Sequence, residues 1–224
     1  MSSQSRQEQV DIDKIVKILR KEVSDMRVPV GTEIARKTRN PFELLISTIL
    51  SLRTKDDVTR EASRRLFKRA GTPEKIAALA DSEIEKLIYP VGFYHTKARR
   101  IKEVCRTLID KYNGEVPDEL DELLQFRGVG RKTANLVITL GFGKNGVCVD
   151  THVHRICNRL GYVKTKTPDQ TEMALRKKLP KKYWIEFNDL LVMWGQNICR
   201  PISPLCSICQ ICTYCQQVGV KQHR

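Results

Sequence analysis

Leu123-Leu124-Gln125-Phe126-Arg127-Gly128-Val129-Gly130-Arg131-Lys132-Thr133-Ala134 decides how this chain is to be read. An apolar helical pattern (Leu120, Leu123, Leu124) runs into two glycines one residue apart, and a second pattern (Ala134, Val137, Ile138) begins almost at once. Two helices so closely spaced must be joined by a tight hairpin. Without Cβ, Gly128 and Gly130 can take backbone angles closed to other residues, and they let an outside group approach the bare amides of the next helix's first turn. Such a helix start attracts phosphate. An ordinary helix-helix connection would look the same up to this point. The neighbouring residues separate the two: Arg131 and Lys132 flank the turn, and the apolar run Val147-Cys148-Val149 then delivers Asp150 to the start of another helix. A lysine and a carboxylate beside a phosphate-binding turn point to chemistry on a nucleic acid.

Composition agrees. Forty Lys and Arg against twenty-six Asp and Glu give the 224 residues a net charge of +14, the balance of a protein whose partner is a polyanion. No run of eighteen apolar residues is present, so no membrane span is expected. Met1 to Gln9 are polar and lack the apolar core of a secretory signal, so an intracellular protein is expected.

Outward from the hairpin, the chain reads as a succession of short helices. Ile12, Ile15, Val16, Leu19 and Val23 form one face of a helix over residues 10–23, and Pro29 and Gly31 read as a loop. Asn40-Pro41-Phe42-Glu43 is a cap signature before Leu44, Leu45, Ile46, Ile49 and Leu50, a helix apolar nearly all round and so the expected centre of a domain. The polar loop after it carries Arg53. Residues 54–70 make the next helix, stopped at Gly71, and Thr72-Pro73-Glu74 and Asp81-Ser82-Glu83 start two more. A helix over 96–112 ends at Asn113-Gly114, and the glycine-rich stretch 141–146 reads as a hinge between two lobes. Beyond it come helices over 150–160, after Thr167-Pro168, and over 183–198. Alternating strand patterns are almost absent, so the predicted class is all-α with about ten helices.

Of eight cysteines, Cys105, Cys148 and Cys157 sit in apolar patterns as small buried residues. The other five crowd into residues 199–215, which inside a cell points to metal before disulfides. Cys199, Cys206, Cys209 and Cys215 have the spacing C-x6-C-x2-C-x5-C, and Cys212 allows other quartets. A tetrahedral zinc and a [4Fe-4S] cluster are both open to such a loop; a single C-x2-C with long flanking gaps leans toward the cluster.

Taken together, these motifs make the chain resemble the endonuclease III family of DNA glycosylases with abasic-site lyase activity over roughly residues 10–216. The family's hairpin, L-x-G-V-G-R-K-T-A, is matched by Gly128 to Ala134, its V-D-T-H by Val149 to His152, and its cluster loop by the four cysteines. The resemblance implies a two-domain helix-hairpin-helix glycosylase fold: a six-helix domain over 34–144, a second domain of 1–33 plus 145–224 holding a [4Fe-4S] cluster, and an active site in the cleft between them. The implied substrate is double-stranded DNA carrying damaged, oxidised pyrimidines or abasic sites, and a monomer is expected. Two positions depart from the family. Arg127 stands where Pro is usual, and Arg53 where many relatives carry Gln in a loop that reaches into the duplex.

A glycosylase reaches C1′ only by flipping the nucleotide out of the stack and propping the duplex open. Arg53 and Phe93 are the candidates to fill the gap. Gly128, Gly130, Arg131, Lys97 and Arg127 are the candidates to hold phosphates. Lys132 is the candidate nucleophile and must attack as a neutral amine; Asp150 is placed to stabilise a cationic sugar and accept the amine's proton. Two other functions compete with this one. A monofunctional mismatch glycosylase carries Tyr or Ser at the lysine position, and a non-catalytic or redox-sensing iron-sulfur module would bind DNA without forming an imine.

Overall fold

A computed structural model describes residues 10–224; the first nine, whose polar sequence bears on localisation, lie outside the described residues. Among the described residues there are twelve α-helices and no strand, as the all-α reading requires. No helix among them is long and apolar enough to cross a membrane. The chain divides into two compact units, Val28–Cys148 and Met1–Arg27 with Val149–Arg224.

The unit Val28–Cys148 is built around helix α3 (Pro41–Ser51). Leu44, Leu45, Ile46, Ile49 and Leu50 are all fully buried, each worth roughly 1.5–3 kcal/mol of apolar transfer. Asn40 starts the helix by accepting the Phe42 and Glu43 amides on Oδ1 (2.9 and 3.4 Å), with Pro41 at the first position, where its missing N–H costs nothing. Helices α4 (Asp56–Arg69), α5 (Pro73–Ala78), α6 (Asp81–Ile88) and α7 (Tyr94–Tyr112) surround this core. Short α8 (Leu120–Leu123) leads through the Gly128–Gly130 turn into α9 (Arg131–Leu136), which continues without a break as a π-helical segment, Val137–Gly141. There Thr139 Oγ1 donates to Asn135 O (2.8 Å), and Gly143, at φ 65°, ends the run.

One expectation fails in this unit. Pro29 and Gly31 do not form a loop: Val30–Thr38 is a helix, α2, with Pro29 at its cap position. Gly31 is there for packing, since a Cβ would stand 3.1 Å from Leu136 Cδ2 of α9. Two smaller shifts accompany it. The cap of α4 is Ala70 rather than Gly71, and α6 begins at Asp81 with Ala80 as its cap, so Asp81 lies inside the first turn, where its charge suits the helix dipole.

In the other unit, α1 (Ile12–Glu22), α10 (Thr151–Arg159), α11 (Pro168–Lys178) and α12 (Phe187–Asn197) enclose Trp194 and Phe187, both 1% exposed. The helix expected over 183–198 is shorter: a 3-10 turn at Lys181–Tyr183 comes first, then α12. Asp13 accepts from Tyr183 Oη (2.5 Å) and Lys182 Nζ (2.6 Å), and Arg20 clasps Glu186, tying α1 to this turn.

Candidate active site and cysteine loop

The hairpin meets the requirements of an anion site at its backbone. Gly128 has φ 86°, an angle that demands glycine, and a Cβ there would also have to displace the Arg100 side chain. Gly130 differs. Its angles (φ −95°, ψ 175°) suit any residue, and a Cβ would meet nothing within 4 Å. It is the cap of α9 and offers no side-chain oxygen, so the cap residue itself gives the first-turn amides no acceptor. Lys132, half-buried, is the second residue of that turn, and its carbonyl accepts from Cys148 Sγ at 3.6 Å.

Asp150 is the cap of α10. Its Oδ1 accepts the amides of His152 (2.8 Å) and Val153 (2.9 Å), and the residue is only 9% exposed. Both bonds fall on one oxygen, so the helix start fixes the carboxylate while Oδ2 stays outside the cap.

The remaining expected contacts fall into two groups. Arg53 and Phe93 are brought together: the Arg53 guanidinium lies 5.7 Å from the Phe93 ring centroid, and Phe93 is 63% exposed. Arg127 is largely exposed and pairs weakly with Glu103 at 3.5 Å, while Arg131 is half-buried. Lys97 corrects the sequence reading. It is 4% exposed, and its ammonium donates to Leu50 O (2.7 Å), Leu52 O (2.5 Å) and Thr54 Oγ1 (3.1 Å), which leaves none of its protons for a phosphate. Burial pushes its pKa down to about 8, with the charge of Arg100 adding to the effect, while the three acceptor oxygens favour the ammonium. Sequence reasoning missed Arg100 and Thr54, because the importance of each depends on a partner far along the chain.

All five clustered cysteines line one pocket with Arg159, Gln217 and apolar side chains such as Trp194 and Leu205. Among the described residues, no three His, Cys, Asp or Glu side chains converge as ligands of a single metal ion. The donor set is nonetheless all thiol, with no carboxylate or imidazole on the pocket wall. Burial pushes the Cys209 thiol up to about 12 and that of Cys215 to about 11, with neighbouring cysteines adding to both; the thiolates such a crowd could form need iron or another soft cation to hold them. Arg159 supplies positive charge, donating to Cys199 Sγ (3.3 Å), and Arg155 of the same helix donates to Cys199 O (2.8 Å). A thiolate-held cluster fits these residues.

A glycine-bearing hairpin between helices, with a lysine in the following turn, places the protein in the helix-hairpin-helix class. Residues 46–181 match the family described as HhH-GPD superfamily base excision DNA repair protein. Within that superfamily the chain belongs to the endonuclease III family, and is thereby an enzyme of the DNA glycosylase/AP lyase class. It is 49% identical to Endonuclease III of Thermotoga maritima over 80% of its own length and 84% of the relative's. It is 44% identical to the chloroplastic Endonuclease III homolog 1 of Arabidopsis thaliana, of which it spans only 49%. A trapped covalent intermediate of an Endonuclease III with DNA superposes with a TM-score of 0.82 at 37% identity, covering 92% of this chain and 94% of that one.

Proposed function

We propose that the chain excises damaged, oxidised pyrimidines from double-stranded DNA and cuts the strand at the resulting abasic site. The observations that carry this reading are a helix start without a capping side chain that bears Lys132 and, separately, a helix start whose cap pins Asp150. In this reading the amides at Gly128, Gly130 and Lys132, with Arg131 and Arg127, hold the phosphates beside the flipped nucleotide. Arg53 and Phe93 occupy the space it vacates.

The Lys132 amine attacks C1′ as the base departs with the electrons of the C1′–N bond and takes up a proton. Asp150 Oδ2 stabilises positive charge on the sugar and receives the proton shed by the amine. The nitrogen lone pair then forms C1′=N as the C1′–O4′ bond breaks and O4′ takes up a proton, and the ring-opened, protonated imine acidifies C2′–H. Removal of that proton expels the 3′ phosphate, and water then releases the sugar from Lys132.

Cys199, Cys206, Cys209 and Cys215 would hold a [4Fe-4S] cluster, which when bound would cross-link the loop 199–215 to the end of α12 that Cys199 follows. The division of labour is a helical domain, Val28–Cys148, with the hairpin, and a second domain, Met1–Arg27 plus Val149–Arg224, with the cysteine loop. The protein works as a monomer.

Borohydride reduction during turnover on a duplex carrying an oxidised pyrimidine tests the reading. A covalent protein–DNA adduct is expected. DNA binding and base release with no adduct would mean a monofunctional glycosylase instead.

A further inference from the structure

Lys97 fastens together the two loops that carry Arg53 and Phe93. Its backbone N–H donates to Phe93 O (3.0 Å), and its ammonium donates to Leu52 O and Thr54 Oγ1, the neighbours of Arg53 on either side, as well as to Leu50 O. Thr54 Oγ1 completes the tie by accepting the Gly92 N–H at 3.1 Å and facing Leu52 O at 3.3 Å. The loops touch directly at Gly92, where a Cβ would stand 2.7 Å from Arg53 O.

Arg53 and Phe93 each sit in the left-handed region (φ 54° and 60°), which non-glycine residues hold only when their surroundings impose it. The surroundings here are the bonds to Lys97. A methionine would fill the same volume without the cost of burying a charge, so packing alone does not explain a lysine. Leu50 O and Leu52 O belong to the C-terminal end of α3, which carries the negative end of the helix dipole and welcomes a cation.

We propose that Lys97 is a positioning residue for duplex opening: its ammonium locks the loop 52–54 to the loop 89–93, so that Arg53 and Phe93 form one rigid wedge before DNA arrives. This rests on the reading of those two side chains as the groups that fill the vacated space. Lys97 itself touches no nucleotide. A preformed wedge enters the duplex without first having to be ordered, which is where the gain in rate arises.

The test compares single-turnover cleavage of two substrates, a duplex with an oxidised pyrimidine and a single strand with a preformed abasic site, which has no partner strand to part. Lys97→Met is expected to lower the duplex rate by about tenfold or more, the size of effect that small misplacements produce, and the single-strand rate by less than about twofold. In an Arg53→Ala, Phe93→Ala background the same substitution should add little, because there is no wedge left to position. Equal losses on both substrates, or no loss on the duplex, would overturn the proposal. Should Lys97→Met fail to fold, Thr54→Val removes the shared oxygen with almost no change in shape, and the same ratio of duplex to single-strand loss supports or overturns the proposal. If the double variant itself cleaves the duplex at the full rate, the wedge reading falls and the role of Lys97 with it; if only the double variant is slow, Lys97 alone is refuted.

Discussion

Helices α9 and α10 both begin with amides that have no partner inside the helix, and they answer that need in opposite ways. Gly130 gives α9 no capping oxygen, and the space outside it is open. Asp150 gives α10 a carboxylate that accepts two amides and is thereby held in place. An uncapped start is a binding site for an anion from outside; a capped start is a way to aim the residue that caps. One hydrogen-bonding deficit thus yields a helix start without a capping side chain in one unit and an oriented carboxylate in the other.

The largest expected effect falls on the residue in the uncapped turn. Lys132→Gln keeps the turn's amides and removes the amine, so the borohydride adduct should disappear while the affinity for duplex DNA changes little. An adduct that survives would place the nucleophile elsewhere.

Next comes Asp150→Asn, which retains a side-chain oxygen able to cap α10 and removes only the charge. Base release should fall by at least about a hundredfold, the usual scale for a lost general base. The melting temperature should scarcely move. Cleavage at a preformed abasic site should suffer less, because an open-chain aldehyde condenses with an amine without passing through a cationic sugar. A large drop in melting temperature would show that the cap, rather than the charge, was the main role of Asp150.

The two glycines of the hairpin should separate in a third experiment. Gly128→Ala meets both a positive φ and the Arg100 side chain, and a loss of about 1–3 kcal/mol in denaturant titration is expected. Gly130→Ala should change stability by less than about 1 kcal/mol, since its backbone angles are ordinary and its Cβ has room. On the proposed phosphate contact its methyl would crowd the anion, so DNA affinity should weaken even though the fold does not. Equal stability losses at the two positions would erase the distinction between a structural and an accessible glycine.

Legibility in the sequence tracks the range of the interactions. The caps at Asn40, Thr72, Thr167 and Asp150 were legible because each is a side-chain oxygen meeting an amide two or three residues on. The buried character of α3 was legible because it is apolar on every side. Gly31 misled because glycine is chosen both for turns and for close packing, and only the position of Leu136, a hundred residues away, tells them apart. Lys97 misled for a similar reason. A lysine in a basic chain reads as a surface charge, and the three oxygens around its ammonium belong to the end of α3 and the loop after it, more than forty residues earlier. Arg53 and Phe93 come separately from two loops; that they stack on each other is visible only in three dimensions.

The π-helical segment Val137–Gly141 carries a consequence for how this part of the chain can change length. Such a segment is in effect an α-helix accommodating one extra residue, held here in part by the Thr139 hydroxyl on the Asn135 carbonyl. Removing one residue elsewhere in a helix rotates everything beyond it by about 100° and scrambles its buried face. Removing one here would let the helix that begins at the hairpin relax to regular α geometry, so the register of the hairpin against α3 could survive a deletion. The run to Asp150 would be shortened by one residue all the same. The bulge therefore makes this the place where a deletion shortens the chain between Lys132 and Asp150 while sparing the register of the hairpin.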